Sequence, residues 1–210
     1  MAVPVPPYPV NLLVADKPCL VVGGGGVALE KVDGLLDARA EVTVVAPEIV
    51  DELATRPVRL ERRPYADGEA AGYRLVIVAT DVPAVNAKVA ADAEAAGVWV
   101  NAADDVANCT FTLPSRVRRG DLLLTASTGG RSPAIAALVR RRLEADYGEE
   151  WAVLLDLVAD ARDELRASGR SSLGADWRAA LDSEMLDLVR EGRIPEAKER
   201  LQACLSSSSD

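Results

Sequence analysis

The sequence predicts a doubly wound α/β domain built on a parallel sheet, followed by a small β/α segment and an α-helical C-terminal domain. Three observations carry that expectation. Between residues 18 and 112, short runs rich in Val, Ile and Leu alternate with helical segments. Those runs are continuous rather than alternately apolar and polar, as in parallel strands covered by helices on both faces. Beyond residue 112 the rhythm changes to two β-like runs and then to helices alone.

Taken in order, "PCLVVG" is the first strand and 27–38 its helix. "EVTVVAP" is the second strand, followed by a helix over 47–55. "VRLERRPY", 58–65, alternates with polar residues and reads as a strand at the sheet edge. "RLVIVAT" and "VWVNAA" are two further strands, separated by a helix over 83–96. "CTFTLPS" and "GDLLLTAST" follow as β-like runs on either side of a basic turn, "RVRR". A helix then opens at Pro133, where Ser132 suits the cap, Pro133 the first position and Gly148 the stop. Three helices are expected over 149–168, 174–191 and 195–204, the first with an apolar stripe of Val153, Leu154, Leu157, Val158 and Ala161.

Composition excludes several function classes. A net charge of -9 disfavours a nucleic-acid partner, because phosphate binding needs a basic footprint. No apolar run approaches the roughly 20 residues of a membrane span. The N-terminus "MAVPVPPYPV" lacks a basic region and is broken by prolines, unlike a signal peptide, so a cytoplasmic location is expected. Cys19, Cys109 and Cys204 are widely spaced, which argues against a disulfide framework or a metal site. With no histidine in the chain, proton chemistry falls to carboxylates, Lys, Tyr or Cys.

The charge is uneven. Seven arginines and one acid lie between Pro114 and Arg142, a net of +6 that leaves -15 for the rest. Arg140, Arg141 and Arg142 read as a solvated helix face. Arg116, Arg118, Arg119 and Arg131 are candidates for binding an anionic small ligand or an acidic partner. Beside them, Ser127, Thr128, Gly129 and Gly130 form a glycine turn before a helix N-terminus, suited to a carboxylate or phosphate as well as to simple capping.

"LVVGGGGVALEK" places four glycines between a strand and a helix. Gly23, Gly25 and Ala28 match G-x-G-x-x-A, in which the first position permits the tight turn, the second lets backbone approach a pyrophosphate, and the third allows close helix packing. Gly24 and Gly26 complete the cradle. The second strand ends at Pro47 and Glu48, so either the Glu48 carboxylate or backbone at Pro47 meets the ribose. No basic residue sits beside them to greet a 2′-phosphate, which points to NAD rather than NADP. Thr80, Asp81 and Asn101 end the later strands at the carboxyl edge, where such sheets bind ligands. Asp81 and Asp105 equally suit turn chemistry. Asp104 is the sharper candidate for a proton acceptor beside a hydride acceptor.

"VTVVAPE", "ATDVPAVN" and "NAADDVANCTFTLPSRVRRGDLLLTASTGGRSPAIAALVRRRLE" follow the glycine loop in an order and spacing that resembles the sirohaem synthase N-terminal family, the precorrin-2 dehydrogenases. The resemblance is close over about residues 8–150. It implies NAD-dependent oxidation of precorrin-2 to sirohydrochlorin, followed in some members by insertion of Fe2+ as a second substrate. It also implies a homodimer joined through the segment after Pro114. Carried over by motif, Asp104 is the catalytic aspartate, Gly26 and Val27 contact NAD, Pro47 and Glu48 are the second-strand contacts, and Thr128 stands where some members have a modifiable serine. Glu30 departs from the family's usual Arg. No C-terminal methyltransferase region follows, so a stand-alone enzyme is expected. The resulting organisation is an NAD-binding Rossmann-like domain over 1–112, a dimerisation segment over 113–147, a helical domain over 148–205 and a disordered tail over 206–210. The competing reading is an NAD-sensing dimeric regulatory module without catalysis.

Overall fold

The computed structural model describes residues 6–169 and 177–207. By internal packing the chain forms two units. One comprises residues up to Leu113 together with Thr128–Pro133, and the other Pro114–Ser127 together with the residues from Ala134 onward.

The first unit holds a five-stranded parallel sheet in the order β3-β2-β1-β4-β5. The strands are β1 (Pro18–Val22), β2 (Glu41–Val45), β3 (Arg59–Glu61), β4 (Leu75–Val78) and β5 (Trp99–Ala102). Burial explains why the central runs are continuous. In β1 and β2 every residue after the first is buried, and all of β4 is buried. Two apolar clusters cover the two faces. Val21, Val44 and Ile77 pack with Ala28, Val32 and Leu35 of α1 (Gly26–Asp37). Leu20, Val76 and Val100 pack with Val89, Ala90 and Ala93 of α3 (Pro83–Ala95). β3 lies at the edge, as its polar alternation leads one to expect.

Two segments of this unit are shorter than their sequence suggests. α2 covers only Asp51–Ala54: the Val50 amide donates to the Gly24 carbonyl at 2.9 Å, and Val50 itself is extended as the N-cap, so the helix starts after it. β3 ends at Glu61, whose carbonyl accepts both the Ala46 and the Arg63 amides, and Pro64 has no N–H to continue a ladder.

The second unit contains an antiparallel hairpin of β6 (Ser115–Arg119) and β7 (Leu122–Ala126). The residues expected as a basic turn therefore form a strand, and the turn falls at Gly120–Asp121, where Gly120 has φ +55°. "CTFTLPS" is correspondingly not a free strand. Thr110 instead donates its amide to Val100 at 2.8 Å, lining the end of β5. α4 (Pro133–Asp146) follows, then α5 (Glu150–Ala167), α6 (Trp177–Ala180), α7 (Ser183–Arg190) and α8 (Ile194–Ser207). Leu154, Leu157, Ala161, Met185, Val189 and Leu201 form this unit's core.

The helix expected over 174–191 is interrupted, and its residues 174–176 lie outside the described ones. The break is enforced by Asp182, whose carboxylate accepts the Met185 amide at 3.0 Å and so starts a new helix. The disordered tail expected over 206–210 is corrected in part: α8 runs to Ser207, and residues 208–210 lie outside the described ones. Among the described residues no helix is long and apolar enough to cross a membrane.

Candidate functional site

Because all five strands are parallel, their carboxyl ends share one edge of the sheet, and the strand order reverses direction between β1 and β4. Such a switch point opens a crevice at the carboxyl edge. The glycine loop leaves β1 there. Gly23, at φ +129°, donates to the Val45 carbonyl at 3.0 Å, and a Cβ on it would overlap the Ala79 carbonyl. A Cβ on Gly24 would overlap the Glu48 carbonyl and approach Ile49 Cα to 2.9 Å. These two glycines are required by the fold itself.

Gly25 and Gly26 differ: a Cβ on either meets nothing within 4 Å. Gly25 is the N-cap of α1 and supplies no side-chain cap, so the first helical amides face open space. A backbone cradle that a Cβ would fill, at the positive end of a helix, suits a pyrophosphate. Val27, half exposed in that first turn, adds an apolar wall.

The β2 end lies against this loop. Pro47 and Glu48 lead into Ile49 and Val50, and the Glu48 side chain is exposed, with no partner among the described residues. One arginine reaches the same place from β3. Arg62 donates from Nη1 to the Ile49 carbonyl at 3.3 Å. The expectation that no basic residue stands beside the β2 end is thus corrected, because a neighbouring strand supplies one that is distant in sequence. Its signal was present, as the residue immediately after the last one of the strand that pairs with β2.

Thr80 and Asn101, both expected to contact a cofactor, have side chains committed within the protein. Thr80 Oγ1 bonds Asn86 Oδ1 at 2.6 Å and accepts the Val82 amide at 3.2 Å, while Asn86 donates back to the Thr80 carbonyl. These bonds shape the start of α3. Asn101 is buried and donates to the Phe111 carbonyl at 2.9 Å. Asp81, by contrast, is exposed and without a partner among the described residues.

Past β5 the chain turns through Ala103, Asp104 and Asp105. Asp104 has φ +59°, a left-handed backbone that Asp tolerates better than most residues. Its carboxylate is exposed and makes no bond among the described residues. Asp105 is tied to Asn108, whose Nδ2 donates to it at 2.6 Å. Cys109, unassigned by the sequence reading, clasps the turn. Its Sγ lies 3.2 Å from the Ala102 amide, 3.3 Å from the Ala102 carbonyl and 3.2 Å from the Asp105 carbonyl. Burial pushes this thiol above its ordinary range, which keeps it a neutral partner.

The candidate anion-binding residues divide between the two units. The turn Thr128–Pro133 packs with the first. Gly129 and Gly130 adopt positive φ of 60° and 73°, the Arg131 amide donates to the Thr128 carbonyl at 3.1 Å, and Thr128 Oγ1 accepts the Ser132 amide at 3.2 Å. The Arg131 side chain is exposed, with no partner among the described residues, and Ser127 belongs to the second unit. On β6, strand parity separates the arginines. Arg116 and Arg118 lie on one exposed face, while Val117 and Arg119 lie on the other. Arg119 donates from Nε to the Tyr147 carbonyl at 2.8 Å and from Nη2 to the Glu144 carbonyl at 3.4 Å, and pairs with Glu149. It holds the C-terminal end of α4, which removes it from the anion-binding set. Among the described residues no group of three or more Cys, Asp or Glu is placed to hold a metal ion.

The NAD_binding_7 family profile, described as "Putative NAD(P)-binding", matches residues 10–115. Siroheme synthase of Methylococcus capsulatus is 37% identical over 196 residues, 90% of this chain and 41% of that protein. Siroheme synthase of Nitrosomonas europaea is 34% identical over 212 residues, 96% of this chain and 44% of that protein. The solved structure of SirC, a precorrin-2 dehydrogenase, superposes with a TM-score of 0.69 at 26% identity, covering 94% of this chain and 98% of SirC. The chain belongs to the NAD_binding_7 family. It spans less than half the length of the siroheme synthases it matches. The family profile ends at residue 115, so it covers the sheet and its carboxyl-edge loops, whereas SirC also matches the helical region.

Proposed function

We propose that this chain oxidises precorrin-2 to sirohydrochlorin with NAD as hydride acceptor, in the synthesis of sirohaem. The observation that carries the reading is the carboxyl edge of the sheet. There an open glycine cradle and an unpaired aspartate, Asp104, end strands of one sheet. The family relationship and the names of its relatives support the substrate. A regulatory module that binds dinucleotide without chemistry gives no reason for a free carboxylate on a left-handed backbone.

Gly25, Gly26 and the first turn of α1 would hold the pyrophosphate, and Glu48 would accept from the ribose hydroxyls. When bound, the nicotinamide supplies a hydride acceptor. The chain's own part in the oxidation is the proton. Asp104 presents a carboxylate with unfilled acceptor positions, and the bonds of Cys109 and Asn108 around it fix the turn that carries it. Proton transfer to such a carboxylate raises the rate by about 10²–10⁴-fold, the range typical of general acid–base groups.

The substrate carries many carboxylates. Arg118 and Arg131, unpaired among the described residues, and the Thr128–Gly130 turn are the groups we assign to them. A homodimer is supported by α4, which has no fully buried residue and exposes Ile135, Leu138 and Val139 at helical spacing. Three cysteines outside any disulfide and a nicotinamide cofactor suit the cytoplasm.

An anaerobic assay with precorrin-2 and NAD tests the reading. Formation of NADH together with sirohydrochlorin is expected. Dinucleotide binding without turnover of precorrin-2 would return the chain to the regulatory class.

A further inference from the structure

The turn that carries Asp104 is tied at both ends by one sulfur atom. Ala102–Asp105 closes through the Asp105 amide, which donates to the Ala102 carbonyl at 3.2 Å, and Asp104 occupies the third position at φ +59°. Turns with a positive φ at that position ordinarily place Gly or Asn there, so Asp104 is held in a conformation that costs it free energy. Asp104 itself makes no hydrogen bond among the described residues. Its placement is therefore set by its neighbours. Cys109 Sγ accepts the Ala102 amide before Asp104, and stands within donating distance of the Ala102 carbonyl on one side of it and the Asp105 carbonyl on the other.

This sulfur does more than fill space. At the open edge of β5 the Val100 and Ala102 amides are taken by side chains in place of a sixth strand, Thr110 Oγ1 at 2.8 Å and Cys109 Sγ at 3.2 Å. Cys19, by comparison, lies among the apolar side chains on the α1 face of the sheet. Burial raises the Cys109 thiol above its ordinary range, so its hydrogen stays in place at neutral pH and is available to a carbonyl. Such bonds add little to stability, but a displacement of about 1 Å at a reacting group can lower a rate ~10²-fold.

We propose that Cys109 is a positioning residue for the oxidation: by bonding both arms of the turn, it sets where the Asp104 carboxylate stands when it accepts the proton. The proposal rests on the reading of Asp104 as proton acceptor given above.

The test measures kcat, the KM for precorrin-2, the NAD dissociation constant and the unfolding midpoint of the full chain. The variants are Cys109→Ala, Cys109→Val and Cys109→Ser, each made with Asp104 present and with Asp104→Ala. Val fills the sulfur's space without hydrogen bonding, whereas Ser keeps a donor and an acceptor. Cys109→Ala and Cys109→Val should lower kcat about tenfold or more, with KM and NAD affinity within about twofold of wild type. Cys109→Ser should recover part of that loss. On the Asp104→Ala background the same substitutions should change the residual rate less than about twofold, because no carboxylate is left to place. A general loosening of the site would lower the rate by one factor on both backgrounds, and that result overturns the proposal. So does a kcat near wild type in folded Cys109→Val, a loss confined to NAD affinity, or a Ser variant no faster than the Val one. If neither Cys109→Ala nor Cys109→Val folds, Cys109 serves the fold alone and the positioning role is overturned. Near-normal oxidation by Asp104→Ala by itself removes the proton-acceptor reading and the proposal with it, an outcome separate from one in which Asp104 matters and Cys109 does not.

Discussion

The Val50 amide donates to the Gly24 carbonyl at 2.9 Å, and this bond fastens the β2–α2 connection to the glycine loop. Gly24 can approach so closely only because it has no Cβ, which would overlap the Glu48 carbonyl. The four glycines consequently divide into a structural pair, Gly23 and Gly24, and a pair that faces open space, Gly25 and Gly26.

Gly24→Ala should lower the unfolding midpoint, or prevent folding, because backbone must move to admit the methyl group. Gly25→Val should leave the far-UV circular dichroism and the unfolding midpoint near wild type while weakening dinucleotide binding. Wild-type affinity in a folded Gly25→Val protein would remove the loop from the binding site.

Asp104→Ala should reduce precorrin-2 oxidation by about 10²-fold or more, with dinucleotide affinity kept. Asp105→Ala should act more weakly and through the turn, since Asp105 is bonded to Asn108. Single-turnover rates separate the two, and near-normal oxidation by Asp104→Ala would return that residue to turn chemistry.

Parity on β6 makes Arg118 and Arg119 unlike each other. Arg119→Ala should cost about 1.5–3 kcal/mol of stability by removing hydrogen bonds from a charged donor to the end of α4. Arg118→Ala should leave denaturant unfolding unchanged and raise the KM for the anionic substrate, most clearly at low salt. Equal effects of the two substitutions on KM would contradict this division.

The apolar face of α4 should be covered by a second copy of the chain. Leu138→Asp should convert a dimer to a monomer in sedimentation equilibrium without altering the secondary structure. A wild type that is monomeric at all accessible concentrations, or a Leu138→Asp protein that remains dimeric, would refute the assignment.

Burial pushes the Cys19 thiol from an ordinary 9.0 up to about 11. The unfolded chain therefore ionises first as pH rises, and the stability linked to this thiol is complete below pH 9.0 and lost as pH climbs through about 11. In the native protein Cys19 should resist alkylation at mildly alkaline pH and react once the chain is unfolded, as read by peptide mass spectrometry. Rapid labelling of native Cys19 would show that the β1 core opens readily.

Local signals were sufficient for the sheet, the glycine loop and the order of the helices. A continuous apolar run buried on both faces, a G-x-G-x-x-A after it and a proline at the first helical position each report on residues within a few positions of themselves. The assignment of side chains to roles was different, because it depends on which strand lies beside which and on strand parity. Asn101 and Thr80 sit at strand ends where a ligand contact is expected, yet Phe111 and Asn86 take up their hydrogen bonds. Arg119 reads as one of a basic group until an odd–even count along β6 turns it toward Tyr147. Arg62, one residue past the edge strand, reaches Ile49 only because β3 pairs with β2. Sequence by itself determined the fold class, the cradle and the family, since those follow from local pattern. Only the tertiary structure decided which polar side chains stay open to a ligand, because a donor is released or occupied by partners far along the chain.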